Sequence, residues 1–392
     1  MSRRRRRCSR RQLLAAGLSA GTLTIAGCGG GDAEPTDTAT GLEPPELTRD
    51  WMRRAENDFS RLSYHDGSLY VATGHVYGDD GEPPKEASAF ALDPDGEARW
   101  QTALADGLSD PLVDDGTVYV TDTAGHVNAL STADGEVDWR HDYTALFEGV
   151  GEDGEFGTAV EAPVLLDDVV LVRLSTHDEP PRLLAIDANT GERRWVESDW
   201  EWLLHGSAAG ALLQSGRGVL EAWAPDGGRR WAVRFDGDVT SVQIERGVVY
   251  ATSADDTLRA IDAATGEVRW RIEARNDLRQ PPLIEDDAIY VAGRDYFLRR
   301  IDHDGRERWR TELDGHAVGP ARVGDTIVAG VGRRGLGGYD PTDGAERWQV
   351  DRAPKRPDSG ASVGGIWQLV AGDSGVYARY GSWWIQHLEV EG

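Results

Sequence analysis

The body of this chain has no cysteine. Its two cysteines, Cys8 and Cys28, stand near the N-terminus, so a disulfide framework and a cysteine-based zinc site are excluded from everything after residue 28. Lysine is nearly absent, with Lys85 and Lys355 the only two. Positive charge is therefore almost all arginine, and it is outnumbered: 42 Lys+Arg face 68 Asp+Glu, a formal net charge of −26 over 392 residues. Such a chain offers no basic stripe, which argues against nucleic-acid binding. An acidic surface stays hydrated and soluble in concentrated salt. The balance points to an extreme halophile, a haloarchaeon, with an acidic protein from a GC-rich genome as the alternative. The nine histidines include no H-E-x-x-H and no paired zinc spacing. An N-x-S/T sequon is also missing. Few long apolar runs occur, whereas glycine is abundant at 48 residues. That combination predicts many tight turns joining many short strands.

The N-terminus carries an address. Ser9-Arg10-Arg11-Gln12-Leu13-Leu14 resembles the twin-arginine export signal, with Arg10 and Arg11 as the pair. The apolar stretch 13–27 is too short to span a bilayer comfortably and suits a signal h-region. It ends in Ile25-Ala26-Gly27-Cys28, which looks like a lipobox, with Cys28 the residue lipidated after cleavage. An uncleaved anchor is the alternative reading of the same residues. Cleavage removes seven arginines and no acid, taking the charge from −26 to −33. Residues 28–46 are mostly Gly, Pro, Thr and acid and read as a flexible stalk. The expected organisation is a signal peptide over 1–27, a linker over 28–46 and one folded domain over 47–392.

That domain is periodic. Ala91-Leu-Asp93-Pro-Asp-Gly96-Glu-Ala-Arg-Trp100 returns as variants of Ala-x-Asp-x-x-x-Gly-x-x-x-Trp ending at Trp139, Trp195, Trp231, Trp270, Trp309 and Trp348. The Trp spacings are 39, 56, 36, 39, 39 and 39. A period near 40 with four short strands per unit marks a propeller blade. Within 271–309, strands are expected at Pro282-Leu-Ile-Glu, Ala288-Ile-Tyr-Val-Ala, Phe297-Leu-Arg-Arg-Ile and Arg306-Glu-Arg-Trp309-Arg. The Asp can bond N–H groups inside the last turn, Gly supplies its positive φ, and the Trp is a wedge for the gap between blades.

The string, clearest from Ala260 to Trp270, is similar to the tryptophan-docking repeat of the PQQ-binding-like β-propellers. Seven copies over 91–348 carry the resemblance. Residues 366–388 supply three further strands without a final Trp strand, and 47–55 look like that missing strand, with Trp51 in the repeat position. The expectation is an all-β, eight-bladed ring of four-stranded antiparallel blades, closed by the N-terminal strand joining the C-terminal blade and leaving no exposed sheet edge. A seven-bladed ring with a trailing hairpin is the alternative.

Two blades depart from the period. The first has an insertion near 75–87, and the third has extra residues near 143–158 and a bump at 177–181. Long loops on a rigid ring are where function usually lies. Gly360-x-Ser362-x-Gly364, with Asp373 and His387 downstream, has hydrolase order but stands in a propeller loop rather than a strand–turn–helix. Gly149-x-Gly151-x-x-Gly154 and Gly330-x-Gly332-x-x-Gly335 open no helix and read as turns, and Gly17-x-Ser19-x-Gly21 lies in the signal. Asp93-Pro-Asp95-Gly96 and Asp302-His-Asp304-Gly305 read as hairpin turns rather than calcium loops. Glu152, Asp153 and Glu155 are the better cation candidates, against a solvated acidic loop. Trp200, Trp202, Trp367, Trp383 and Trp384 stand outside the repeat and either pack blades or line a binding face.

The resemblance implies two activities. One is a PQQ- and calcium-dependent dehydrogenase of alcohols or sugars, for which the sequence lacks the vicinal Cys pair and any recognisable base. The other is the non-catalytic branch, which includes a lipid-anchored scaffold that helps assemble bacterial outer-membrane barrels, machinery not expected in an archaeon. The reading that follows is a monomeric, non-enzymatic scaffold with no catalytic residue and no cofactor. It would sit on the outer face of the cell membrane through lipid on Cys28 and bind a protein partner. A surface carbohydrate binder using the extra tryptophans is the third reading.

Overall fold

Small, β-branched and aromatic residues flanked by Asp–Gly turns favour short paired strands, and each repeat folds that way. In the computed structural model, the fifth blade runs through Val239–Glu245, Val248–Ser253, Thr257–Asp262 and Val268–Glu273, each strand bonded antiparallel to the next. The structure describes residues 47–54, 62–73, 87–104, 107–147, 161–176, 179–198, 200, 202–224, 228–276, 278, 280–331, 335–350, 365–381 and 384–390. Arg10, Arg11, Cys28, Glu152, Asp153, Glu155, Trp383 and Gly360 to Gly364 lie outside them, as do most of the insertions near 75–87 and 143–158.

Eight such four-stranded sheets form, with the single turn of 3₁₀ helix at Thr144–Leu146 the only helix among the described residues. Seven sheets take four consecutive strands each. The eighth has the order Leu47–Arg54, Trp384–Val390, Gly375–Tyr380, Ile366–Ala371. Eight blades are present, not seven, and the N-terminal strand completes the last. In the fifth blade the two middle strands are buried almost throughout, whereas the outer strand alternates or lies exposed.

The repeat string has a physical account at each position. Ala260 pairs with Trp270, then a bulge skips Arg269 so that Val268 faces Ile261. In the turn, Asp262 Oδ1 accepts the N–H groups of Ala264 and Thr265 at 3.0 and 2.9 Å. Gly266 takes φ +75°. It needs that freedom and also its bareness, because a Cβ there would lie 2.5 Å from Cγ of Trp231, the indole of the preceding blade. Trp231 Nε1 donates to Ala263 O in the same turn at 2.9 Å. Trp100, Trp139, Trp270 and Trp309 likewise donate to Thr132, Ala188, His303 and Pro341 carbonyls at 2.8–3.1 Å. Each indole is thus a bolt from one blade into the next blade's turn.

Two supports of this bolt were not read from the sequence. A tyrosine on the second strand tilts against the Trp of its own blade, with centroids about 6 Å apart for Tyr70, Tyr119, Tyr250 and Tyr290. The arginine just before the Trp reaches back to the turn's Asp: Arg194 to Asp187, Arg269 to Asp262, Arg308 to Asp302 and Arg347 to Asp340. Those arginines hold all four carboxyls below the usual range, Asp262 down to about 2. The closing strand repeats the register: Trp51 faces His387, Asp50 is skipped, and Arg49 faces Leu388. Arg53 then donates to Gly96 O of the first blade at 3.2 Å.

These groups predict a two-stage response to acid. His205, on the first strand of blade 4, is bonded to Ser215 Oγ at 2.6 Å. Burial pushes its pKa down from 6.5 to about 4. Between those values the unfolded chain binds the extra proton, so stability falls as pH drops through that window. The loss is about 2 kcal/mol after allowing for partial exposure. The turn aspartates contribute stability present above the unfolded carboxyl pKa near 4 and lost below it, as pH falls through their lowered values. Melting temperature against pH should therefore fall in two steps, and His205→Gln should remove only the upper one. An unchanged profile in that variant would assign the upper step elsewhere.

Candidate functional site

Blade 4 breaks the repeat. Where other blades have Leu92, Leu130, Ile186, Ile261 or Ile301 after the Trp-paired residue, it has Trp223, and the turn Asp becomes Ala224. With its carboxylate partner gone, Arg230 instead donates to Ala209 O at 2.6 Å. The preceding Trp195, the bolt of blade 3, is 39% exposed, whereas Trp100, Trp139, Trp231 and Trp348 are all buried.

The seam between blades 3 and 4 holds a cleft. It has a volume of about 610 Å³, within the usual range of roughly 300–1,000 Å³ for binding pockets. Its floor is Leu166, Leu171, Leu183 and Leu212, and its walls carry Trp195, Trp200 and Trp223. Buried Glu221 fixes Trp223, accepting its Nε1–H at 2.8 Å while Arg229 covers the other oxygen at 2.9 Å. Trp200 stands edge-on to Trp223, centroids 6.4 Å apart. Its backbone is pinned by Pro181 O, which accepts its N–H at 2.7 Å, and by Arg173, which donates to its carbonyl at 3.1 Å. Arg173 also pairs with Glu161 at 2.7 Å, and burial raises the pKa of that carboxyl.

Trp200 Nε1 is buried and has no hydrogen-bond partner among the described residues. Such a donor costs about 1–3 kcal/mol until something accepts it. At the rim, Arg194 clasps Asp168 at 2.5 Å as well as Asp187, and the guanidinium holds the Asp168 carboxyl below the usual range. Asp167 and Glu197 complete an acidic edge. Nothing here pairs a nucleophile with a base. The arrangement can hold an apolar side chain and accept a cation at its edge.

The other tryptophans singled out from the sequence separate. Trp384 is buried in the core of the last blades. Trp202 covers Gly216, where a Cβ would meet its ring at 3.0 Å. Trp367 is 55% exposed. Asp93 and Asp302 are turn residues, the first accepting Glu97 N–H at 2.9 Å and the second bound by Arg308. His387 is buried and stacked on Tyr377 at 4.6 Å. Among the described residues no three His, Cys, Asp or Glu come together as a metal site.

The family model described as outer membrane protein assembly factor BamB matches residues 48–198 and 216–366. An outer membrane protein assembly factor BamB of Yersinia pestis is 25% identical over 273 residues, 69% of this chain and 56% of its own length. The chain thus spans little more than half of that relative. Among solved structures, BamB from Moraxella catarrhalis has a TM-score of 0.61 at 16% identity, over 88% of this chain and 98% of that one. Quinohemoprotein alcohol dehydrogenase from Comamonas testosteroni has a TM-score of 0.59 at 13% identity, over 89% and 77%. At these identities the likeness to both structures is one of fold.

Proposed function

Because the chain belongs to the family of outer membrane protein assembly factor BamB, we propose that it is a non-enzymatic scaffold gripping a protein partner at a membrane surface. The observation that carries the reading is the apolar cleft between blades 3 and 4, walled by Trp195, Trp200 and Trp223. Trp195 is 39% exposed at the edge of that cleft, whereas Trp100, Trp139, Trp231 and Trp348 are buried. The partner segment has two features. An apolar side chain fills the leucine floor, and a Lys or Arg meets Asp167 and Glu197. Solvent-exposed aromatic anchors of this kind dominate binding energy at interfaces.

The address belongs to the same proposal. The chain leaves the cell folded through the Arg10–Arg11 signal and is held on the outer face of the membrane by lipid on Cys28. A two-chain lipid there would hold the body stably at the membrane, within reach of a membrane-surface partner.

The test compares the purified full chain with Trp195→Ala, a change at an exposed position that should alter melting by little. Membranes from the source organism are cross-linked to each, and one stoichiometric partner should be captured by the unaltered chain and lost by the variant. Equal capture by both would remove the cleft from the reading. Stoichiometric binding of PQQ with calcium, accompanied by dye-linked oxidation of an alcohol or sugar, would replace the scaffold with the dehydrogenase.

A further inference from the structure

A second cavity lies at the opposite end of the strands from the docking turns. Its volume is about 340 Å³. Arg294 enters from the turn between Ile289–Ala292 and Phe297–Ile301 of blade 6, His316 from the segment leading into blade 7, and Trp367 and Arg379 from blade 8. Gln280 closes the remaining side. In a chain with 68 acidic residues, this described lining holds two arginines, a histidine and no carboxylate. Arg294 has no acidic partner among the described residues, unlike the arginines that brace the turns. Its own carbonyl accepts from His316 Nδ1 at 3.2 Å, and His316 stacks on exposed Tyr296 at 5.0 Å.

Trp367 forms the apolar wall. Arg379 stands over its ring, 5.5 Å from the centroid, so one face of the indole is covered and the ring is still 55% exposed. A ligand therefore stacks on a single aromatic face instead of entering a sandwich. The same cavity is lined by Arg294, whose guanidinium is the group best matched to a carboxylate by paired hydrogen bonds. Gln280 offers amide donors and an acceptor for hydroxyls. Salt at 1 M shortens the reach of charge to about 3 Å, so under the saline conditions that the composition suggests, the anion must be touched directly.

We propose that this pocket binds a carboxylated sugar, a hexuronic acid unit of a glycan, with its ring on Trp367 and its carboxylate on Arg294. The proposal stands on this cavity and is independent of the cleft between blades 3 and 4.

The experiment titrates the purified full chain in concentrated KCl with glucuronate and galacturonate, with glucose and inorganic phosphate as comparisons, by calorimetry. The uronates should saturate and bind at least ten-fold tighter than glucose, with phosphate failing to displace them at equal concentration. Arg294→Gln, at an exposed position, should bring the uronates down to the level of glucose. Trp367→Leu should weaken both sugars ten-fold or more, and Trp195→Ala should change neither. Melting curves of the three variants confirm the fold. Absence of saturable uronate binding, equal binding of glucose, displacement by phosphate, or unchanged uronate affinity in Arg294→Gln overturns the proposal. Tight binding of PQQ in place of uronate assigns the pocket to a flat polyanion and overturns it as well.

Discussion

Deleting residues 47–54 should open the ring and cost more stability than any single substitution in the blades. The strand pairs along its length with Trp384–Val390, from Leu47 opposite Val390 to Arg54 opposite Trp384. Its loss strips one side of that strand of backbone partners and removes Arg53 from the first blade's turn. At roughly 1 kcal/mol net per backbone bond, and with the packing of half-buried Met52 against the last blades, about 5 kcal/mol is at stake. That is a large fraction of the roughly 5–15 kcal/mol that separates folded from unfolded domains. The exposed strand is also long, apolar in part and free to pair with another molecule. Guanidinium unfolding in concentrated salt should show a markedly lower midpoint, and size-exclusion chromatography should show oligomers. A deletion variant that unfolds at the wild-type midpoint and elutes as a monomer would mean that the ring does not depend on its closing strand.

The second large effect separates two glycines with nearly the same backbone. Gly247 has φ +74° and Gly266 has φ +75°. A Cβ at Gly247 meets nothing within 4 Å, whereas at Gly266 it meets Trp231 at 2.5 Å. Gly247→Ala should therefore cost only the left-handed conformation, about 1 kcal/mol. Gly266→Ala should cost that plus expulsion of the indole and loss of its bond to Ala263 O, about 3 kcal/mol or more. Paired denaturant curves measure the difference. Equal costs would mean that the turn is glycine for its dihedral alone and that the bolt contributes little.

The fold was legible because the repeat is locally over-determined. Asp262, Gly266 and Trp270 each have a cause within their own hairpin, and the period then places them against the neighbouring blade. Closure was legible for the same reason, since Trp51 reproduces a register that the other blades define. The cleft was not legible as a site. Trp223 stood inside a recognised repeat and read as one more variant of it, because its effect falls on Trp195 in the preceding blade. The Tyr supports and the Arg–Asp braces were present as recurring letters, a Tyr flanked by aliphatic residues on the second strand and Arg-Trp on the fourth, but a strand pattern already accounted for them. The second cavity gathers residues from three blades spread over 280–379, and no spacing announces such a gathering. The export and lipid signals remain patterns of sequence, since Arg10, Arg11 and Cys28 lie outside the described residues.

The chain's first strand pairs with its last. During synthesis, seven sheets can form from strands already made, yet the eighth waits for Trp384–Val390, whose partner was among the first strands to leave the ribosome. A chain cut short at any blade therefore carries an orphan strand at one end and an open sheet edge at the other. Both are features by which proteases and chaperones distinguish unfinished products. The ring thus certifies its own completeness.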